Sequence, residues 1–154
     1  MEDIKKEWMQ EAIALSQQGI DCGEGGPFGA VVVKDGKIIA RGYNQVVSTN
    51  DPTAHAEIVA IRAACKVLQS WQLTGCEIYT SCEPCPMCLS TIYWAKADRV
   101  YYANSRFDAA DVGFEDQLIY QELNLPMASR KLPMTQLLRE EAIAVFRSWS
   151  RSIE

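Results

Sequence analysis

Histidine is almost missing from this 154-residue chain: His55 is the only one. Any chemistry that needs an imidazole therefore converges on one position. Long apolar runs are missing too. None approaches the roughly 18 residues of a membrane-spanning helix, so no such helix is expected. Positive charge is in deficit, with 15 Lys and Arg against 20 Asp and Glu and a formal net charge of −5. The densest basic stretch, Arg130-Lys131, is too short for a patch that grips phosphates, so nucleic acid is not an expected partner. The N-terminal run Met1-Glu2-Asp3-Ile4-Lys5-Lys6-Glu7 is charged and helical in pattern, unlike a secretory leader. Six cysteines in such a chain read as reduced thiols in the cytoplasm, some of them metal-bound. Internal repeats and low-complexity linkers are also absent.

What is there suits one soluble domain spanning 1–154. The hydrophobic fraction is 48% and the charged fraction 23%, and a chain of this length buries about two-thirds of its unfolded surface. A core of that size needs no metal to staple it, so a metal here is expected to be catalytic.

Ile4, Trp8, Ala12 and Leu15 recur at helical spacing, with Asp3 as N-cap and Gly19 as stop. A glycine-rich segment, 23–29, leads into a strand at 30–34. Asp35-Gly36 is a two-residue hairpin signal, and 37–43 is the returning strand. Asn50-Asp51-Pro52-Thr53 is turn chemistry before a helix at 55–68, whose Ile58, Ile61, Ala64, Cys65 and Leu68 share a face. Short strands are predicted at 76–80 and 99–103, and a helix at 85–95 with Met87, Thr91 and Trp94 on one side. Trp94 reads as core. Residues 114–123 and 134–149 are both readable as helices. Hairpin, then αβαβ, predicts an α/β fold with a mixed sheet covered by helices.

His55 stands two residues before Glu57, and Cys85 and Cys88 follow in Pro84-Cys85-Pro86-Met87-Cys88. One imidazole and two thiolates meet the three-ligand count of a catalytic zinc site, whose fourth position is left for water. Two cysteines three apart can present both sulfurs from a helix's first turn, where the positive N-terminus favours thiolates and proline is tolerated. Zinc lowers the pKa of bound water toward about 7. Glu57, in the first turn after His55, is placed to move protons between water, ring nitrogen and leaving amine. The order His-x-Glu, then Pro-Cys-x-x-Cys, is the known signature of zinc-dependent nucleobase deaminases. Two alternatives stand beside it. Cys82 could join His55, Cys85 and Cys88 in a closed structural zinc site, although it precedes the helix and leaves Glu57 without a task. The cysteines could also simply be buried beside a chance histidine.

Three stretches carry a resemblance: Gly25-Gly26-Pro27-Phe28-Gly29-Ala30-Val31, Asn50-Asp51-Pro52-Thr53-Ala54-His55-Ala56-Glu57, and Tyr79-Thr80-Ser81-Cys82-Glu83-Pro84-Cys85-Pro86-Met87-Cys88. With Ile92-Tyr93-Trp94-Ala95 and Asp108-Ala109-Ala110-Asp111-Val112-Gly113-Phe114, the chain resembles the bacterial guanine deaminases of the cytidine deaminase superfold, fading after about residue 125. The resemblance implies a three-layer α/β/α fold around a mixed five-stranded sheet. It also implies a zinc cofactor, a homodimer whose C-terminal segment (about 125–154) crosses to the partner, and hydrolysis of guanine to xanthine and ammonia. By position, Asn44 hydrogen-bonds the purine, Phe28 stacks on it and Asp116 lies near its amino edge. Asn supplies a donor and an acceptor, and a carboxylate accepts from ring N–H and amino groups. Each has a plainer alternative: Phe28 as core, Asn44 as a turn cap, Asp116 as a helix N-terminal acid. Glu83 either orients the thiolates or caps their helix.

One departure concerns the tail, Ser148-Trp149-Ser150-Arg151-Ser152-Ile153-Glu154. Similar enzymes can end in an aromatic residue that reaches the neighbouring subunit's substrate; here Trp149 or another tail residue takes that contact, or the lid closes differently. Guanosine and other aminopurines or aminotriazines therefore remain alternative substrates. A tRNA adenosine deaminase shares the zinc signature but needs phosphate contacts, and a zinc-stabilised interaction module without turnover is the alternative outside enzymes.

Overall fold

The computed structural model describes residues 1–153. The chain divides into two compact units, 1–119 and 120–154. The first opens with helix α1 (Glu2–Asp21), followed by strands β1 (Gly29–Lys34) and β2 (Lys37–Tyr43) and a single helical turn, α2 (Val46–Thr49). Helix α3 (Ala56–Leu68), strand β3 (Cys76–Cys82), helix α4 (Pro86–Ala95), strand β4 (Arg99–Asn104) and the short helix α5 (Arg106–Asp111) complete the alternation. Helix α6 (Asp116–Leu123) runs past residue 119.

The sheet has the order β2-β1-β3-β4. β1 is antiparallel to both β2 and β3, whereas β3 and β4 are parallel and joined through α4. Asp35 and Gly36 both take positive φ, 49° and 73°, so the predicted hairpin turn forms where glycine pays no Cβ penalty. Side chains alternate across the sheet as its pleat demands. Ala30, Val32 and Ile78 pack with Ala60, Ile61 and Ala64 of α3 and Ile92 of α4. Val31, Val33 and Tyr79 face the other way, against Leu15 and Trp8 of α1. Tyr79 also stacks on Tyr101, with centroids 4.6 Å apart. These are three layers, helix on sheet on helices, as expected.

Several expectations are corrected. Among the described residues the sheet has four strands, not five. The fifth was implied by resemblance, while the alternating β-branched and aromatic pattern occurs in four runs only. After β4, Ser105 and Asp108 form a reciprocal capping box that turns the chain into α5. Gly19 does not stop α1, which continues to Asp21 with Gly19 buried within it, and Asp3 lies inside the first turn rather than at the cap. Trp94 is not core: it is 80% exposed on α4. The final helix, α7 (Arg139–Ser152), begins five residues later than the apolar pattern suggested, because Leu138 takes a left-handed conformation just before it.

In the second unit, the Arg130 guanidinium donates to the carbonyl oxygens of Glu122, in the last turn of α6, and of Leu125, just beyond it, at 3.0 and 3.3 Å. Helix α7 leaves Val145, Phe146 and Trp149 exposed. No helix among the described residues is long and apolar enough to cross a membrane.

Candidate metal centre and catalytic carboxylate

His55 occupies the N-cap position of α3 and Cys85 that of α4, so two helix starts converge. Pro86 is the first helical residue of α4, where its missing N–H costs nothing, while Pro84 precedes the helix. The Cys88 N–H reaches back to Cys85 Sγ at 3.5 Å, and His55 Nδ1 lies 3.5 Å from each of the two sulfurs. A tetrahedral zinc with Zn–S near 2.3 Å and Zn–N near 2.0–2.1 Å requires N···S edges of about 3.6 Å. The donor set and its spacing therefore fit that ion. Cys82 does not join the group. Its Sγ lies 3.7 Å from the Ser105 carbonyl oxygen, and burial pushes its thiol up to about 11. The closed four-ligand alternative thus lacks its fourth ligand.

The charges within the triangle favour one thiolate without a cation. Hydrogen bonds from the Cys88 thiol, His55 and the Cys88 N–H hold Cys85 down at about 4 against the desolvation of burial. Cys88 is driven far upward, first by its hydrogen bond to Cys85 and then by burial. The Cys85 partner raises His55. A divalent cation would reverse the Cys88 preference by compensating both sulfur charges.

Glu57, the second helical residue of α3, is 5% exposed. Its Oε2 lies 3.4 Å from Cys88 Sγ, and Thr80 Oγ1 lies 3.1 Å from its Oε1. Burial raises its affinity for a proton above that of a free carboxyl. Asp116 begins α6; burial first, then the Cys85 charge, raise its carboxyl, while His55 pulls it down. It therefore belongs to the same electrostatic neighbourhood as the ligands.

Asn44 is 7% exposed, and its Oδ1 accepts from the Val46 N–H at 3.0 Å. The capping alternative and the pocket reading are compatible. The oxygen starts α2, and among the described residues the amide Nδ2 makes no hydrogen bond within the chain. Phe28 is half-buried against the α3 side of the core and meets Phe114 edge-to-face at 4.7 Å. Glu83 does neither of the two things expected of it: its Oε2 accepts from the Arg106 N–H at 2.7 Å and anchors the start of α5.

Three residues that touch the candidate site residues were not singled out from the sequence. Gly25 passes so close to Asn44 that a Cβ there would overlap Oδ1 and approach the Asn44 carbonyl oxygen to 2.6 Å. The glycine-rich segment was the available signal, without the partner. Phe114 entered only in a stretch of resemblance and as the start of an expected helix, and Thr80 only in a stretch of resemblance and in an expected strand.

Comparison with known proteins agrees with this geometry. A family model, "Cytidine and deoxycytidylate deaminase zinc-binding region", matches residues 2–104. The chain is 52% identical over 142 residues to guanine deaminase of Bacillus subtilis (strain 168), covering 92% of this chain and 91% of that protein. The crystal structure of guanine deaminase from Bacillus subtilis superposes with a TM-score of 0.92 and 51% identity, covering 95% of this chain and 93% of the other. A tRNA-specific adenosine deaminase from Aquifex aeolicus (strain VF5) is 37% identical over 99 residues, 64% of this chain and 65% of its own. With a His/Cys/Cys group able to hold zinc and the family's zinc-binding region matched across two-thirds of its length, the chain belongs to the cytidine and deoxycytidylate deaminase family of zinc-binding deaminases.

Proposed function

We propose that this chain hydrolyses the 2-amino group of guanine, giving xanthine and ammonia. The observation that carries the reading is the buried Glu57 carboxylate, 3.4 Å from a sulfur of the His55–Cys85–Cys88 group. Its environment favours taking up a proton, and no structural zinc site needs such an acid. Similarity to a guanine deaminase over nine-tenths of both chains supports guanine over other amino bases.

His55, Cys85 and Cys88 would hold the zinc. When bound, zinc supplies a Lewis acid that makes water nucleophilic near neutral pH. Glu57 accepts a proton from the attacking water and delivers it to the ring nitrogen beside the amino-bearing carbon. It then carries the second proton to the departing amine, so that one water is consumed and one ammonia released. Asn44 donates from Nδ2 to an acceptor on the purine, while its oxygen accepts from the Val46 N–H and holds the side chain in place. Phe28, braced by Phe114, covers the ring face, and Asp116 accepts from N–H groups on the amino edge. Base analogues that leave these polar groups unpaired are rejected.

The partner is a small purine rather than nucleic acid, in keeping with a net charge of −5. The enzyme works in the cytoplasm as a homodimer whose segment 125–154 crosses to the partner and closes its pocket, through Trp149 or another residue of that segment. The exposed Val145, Phe146 and Trp149 on α7 support an apolar contact there. Sedimentation equilibrium is expected to return twice 17.2 kDa, and a mass of one chain would remove the dimer.

Ammonia release measured in parallel on guanine, guanosine, adenine and cytosine tests the activity. Turnover of guanine alone is expected. Turnover of guanosine instead would mean that the pocket admits ribose, and silence on all four with zinc bound would revive the interaction module.

A further inference from the structure

Thr80 lies on β3 with 1% of its surface exposed and takes part in none of the roles above. By the pleat of the strand it shares a sheet face with Ile78, which belongs to the apolar cluster under α3 and α4. Valine has the same shape and would suit that setting better, since a buried hydroxyl must find partners. Thr80 has found two. Its Oγ1 stands 3.1 Å from Glu57 Oε1 and 3.0 Å from the Cys82 carbonyl oxygen. Both are acceptors of the single hydroxyl hydrogen, and the two contacts together place Oγ1 between Glu57 and the Cys82 carbonyl.

The terminal torsion of a glutamate is soft, and burial alone does not decide which oxygen points where. Here Oε1 is tied to Thr80 while Oε2 faces Cys88 Sγ at 3.4 Å. We infer that Thr80 is a positioning residue for Glu57: by holding Oε1, it leaves Oε2 as the oxygen that faces the zinc ligands and exchanges the proton. This rests on Glu57 being the proton carrier of the proposed deamination. Thr80 itself touches no substrate, and its loss should change the rate of the proton-transfer steps rather than the binding of the base.

Three variants of the full chain, loaded with zinc, test this: Thr80→Val, Thr80→Ala and Thr80→Ser. Val and Ala are expected to lower kcat about 10- to 100-fold with KM within about twofold, because a misplaced carboxylate costs rate rather than affinity. Ser is expected to stay within about threefold of the parent. Zinc content should equal the parent's in all three. Crystal structures should show the Glu57 carboxylate turned in the Ala variant and unturned in the Ser variant. A Val variant with parental kcat would overturn the assignment, as would a Ser variant as slow as Ala or a loss confined to KM. If the Val variant does not fold, the Ser and Ala variants decide, since both lack the methyl and differ only in the hydroxyl. If the parent chain deaminates no base, the proposed function has failed. The Glu57 orientation then still tests the positioning: an unmoved carboxylate in both Ser and Ala variants overturns it.

Discussion

Glu57→Gln is expected to retain zinc and fold while losing about 10³-fold in kcat, the upper middle of the range for removing a general acid–base group. The substitution is close to isosteric. The Gln carbonyl oxygen can accept from Thr80 as Glu57 Oε1 does, so the packing under α3 is preserved. What disappears is the ability to carry a proton between the attacking water, the ring nitrogen and the amine. Stability should not fall, because a carboxyl that is 5% exposed and costly to ionise is replaced by a neutral group. The measurement is single-turnover ammonia release alongside zinc content and the thermal midpoint. A fully active Gln variant would remove Glu57 from the chemistry. A variant that loses zinc would make it a structural support of the ligands instead.

Removing the metal should have the other large effect. Chelation, or Cys88→Ala, is expected to abolish measurable turnover and to lower the Tm by roughly 10 °C. That figure follows from a ligand held about a thousandfold above its Kd, worth about 4 kcal/mol, and from about 2–4 °C per kcal/mol at this chain length. The structural reason lies in the sulfurs. Without a cation, Cys88 must keep its proton beside the Cys85 thiolate and Glu57. Loading zinc therefore displaces protons, and the apparent affinity falls as pH falls, because acid returns protons to the ligands. Calorimetry of zinc binding in buffers of different ionisation enthalpy reads the protons released. Zinc uptake without proton release would contradict the charge arrangement, and an unchanged Tm after chelation would separate the ion from folding.

Much of the molecule was legible before any coordinates, for identifiable reasons. Local chemistry placed the hairpin at Asp35-Gly36, because a two-residue turn with positive φ at both positions matches the twist of the flanking strands, and both residues adopt it. Helical spacing at Ile58, Ile61 and Ala64 marked the buried face of α3. The candidate ligands were readable because two of them lie within one helical turn and the third is the only imidazole in the chain.

Less was legible where two distant segments meet. The short α5 was not anticipated, since its start depends on Glu83 accepting from Arg106 across a gap of 23 residues as well as on a local capping box. Trp94 suited a buried helix face by composition, yet α4 turns it outward, and no period in a ten-residue helix records which neighbours will arrive. The polarity of Asn44 is another such case. The residue can donate and accept, and only the folded chain shows that Val46 donates to its oxygen and that Gly25 leaves room for it to stay there. Thr80 is the sharpest example, a strand residue by propensity that becomes a partner of the Glu57 carboxylate only when β3 and the start of α3 are brought together. Residue types and short spacings state which atoms can bind zinc or move a proton, because those are properties of single side chains and single turns. Which oxygen of Glu57 faces the candidate metal ligands, and which neighbour an amide oxygen meets, are properties of packing and become visible only once sheet and helices are assembled.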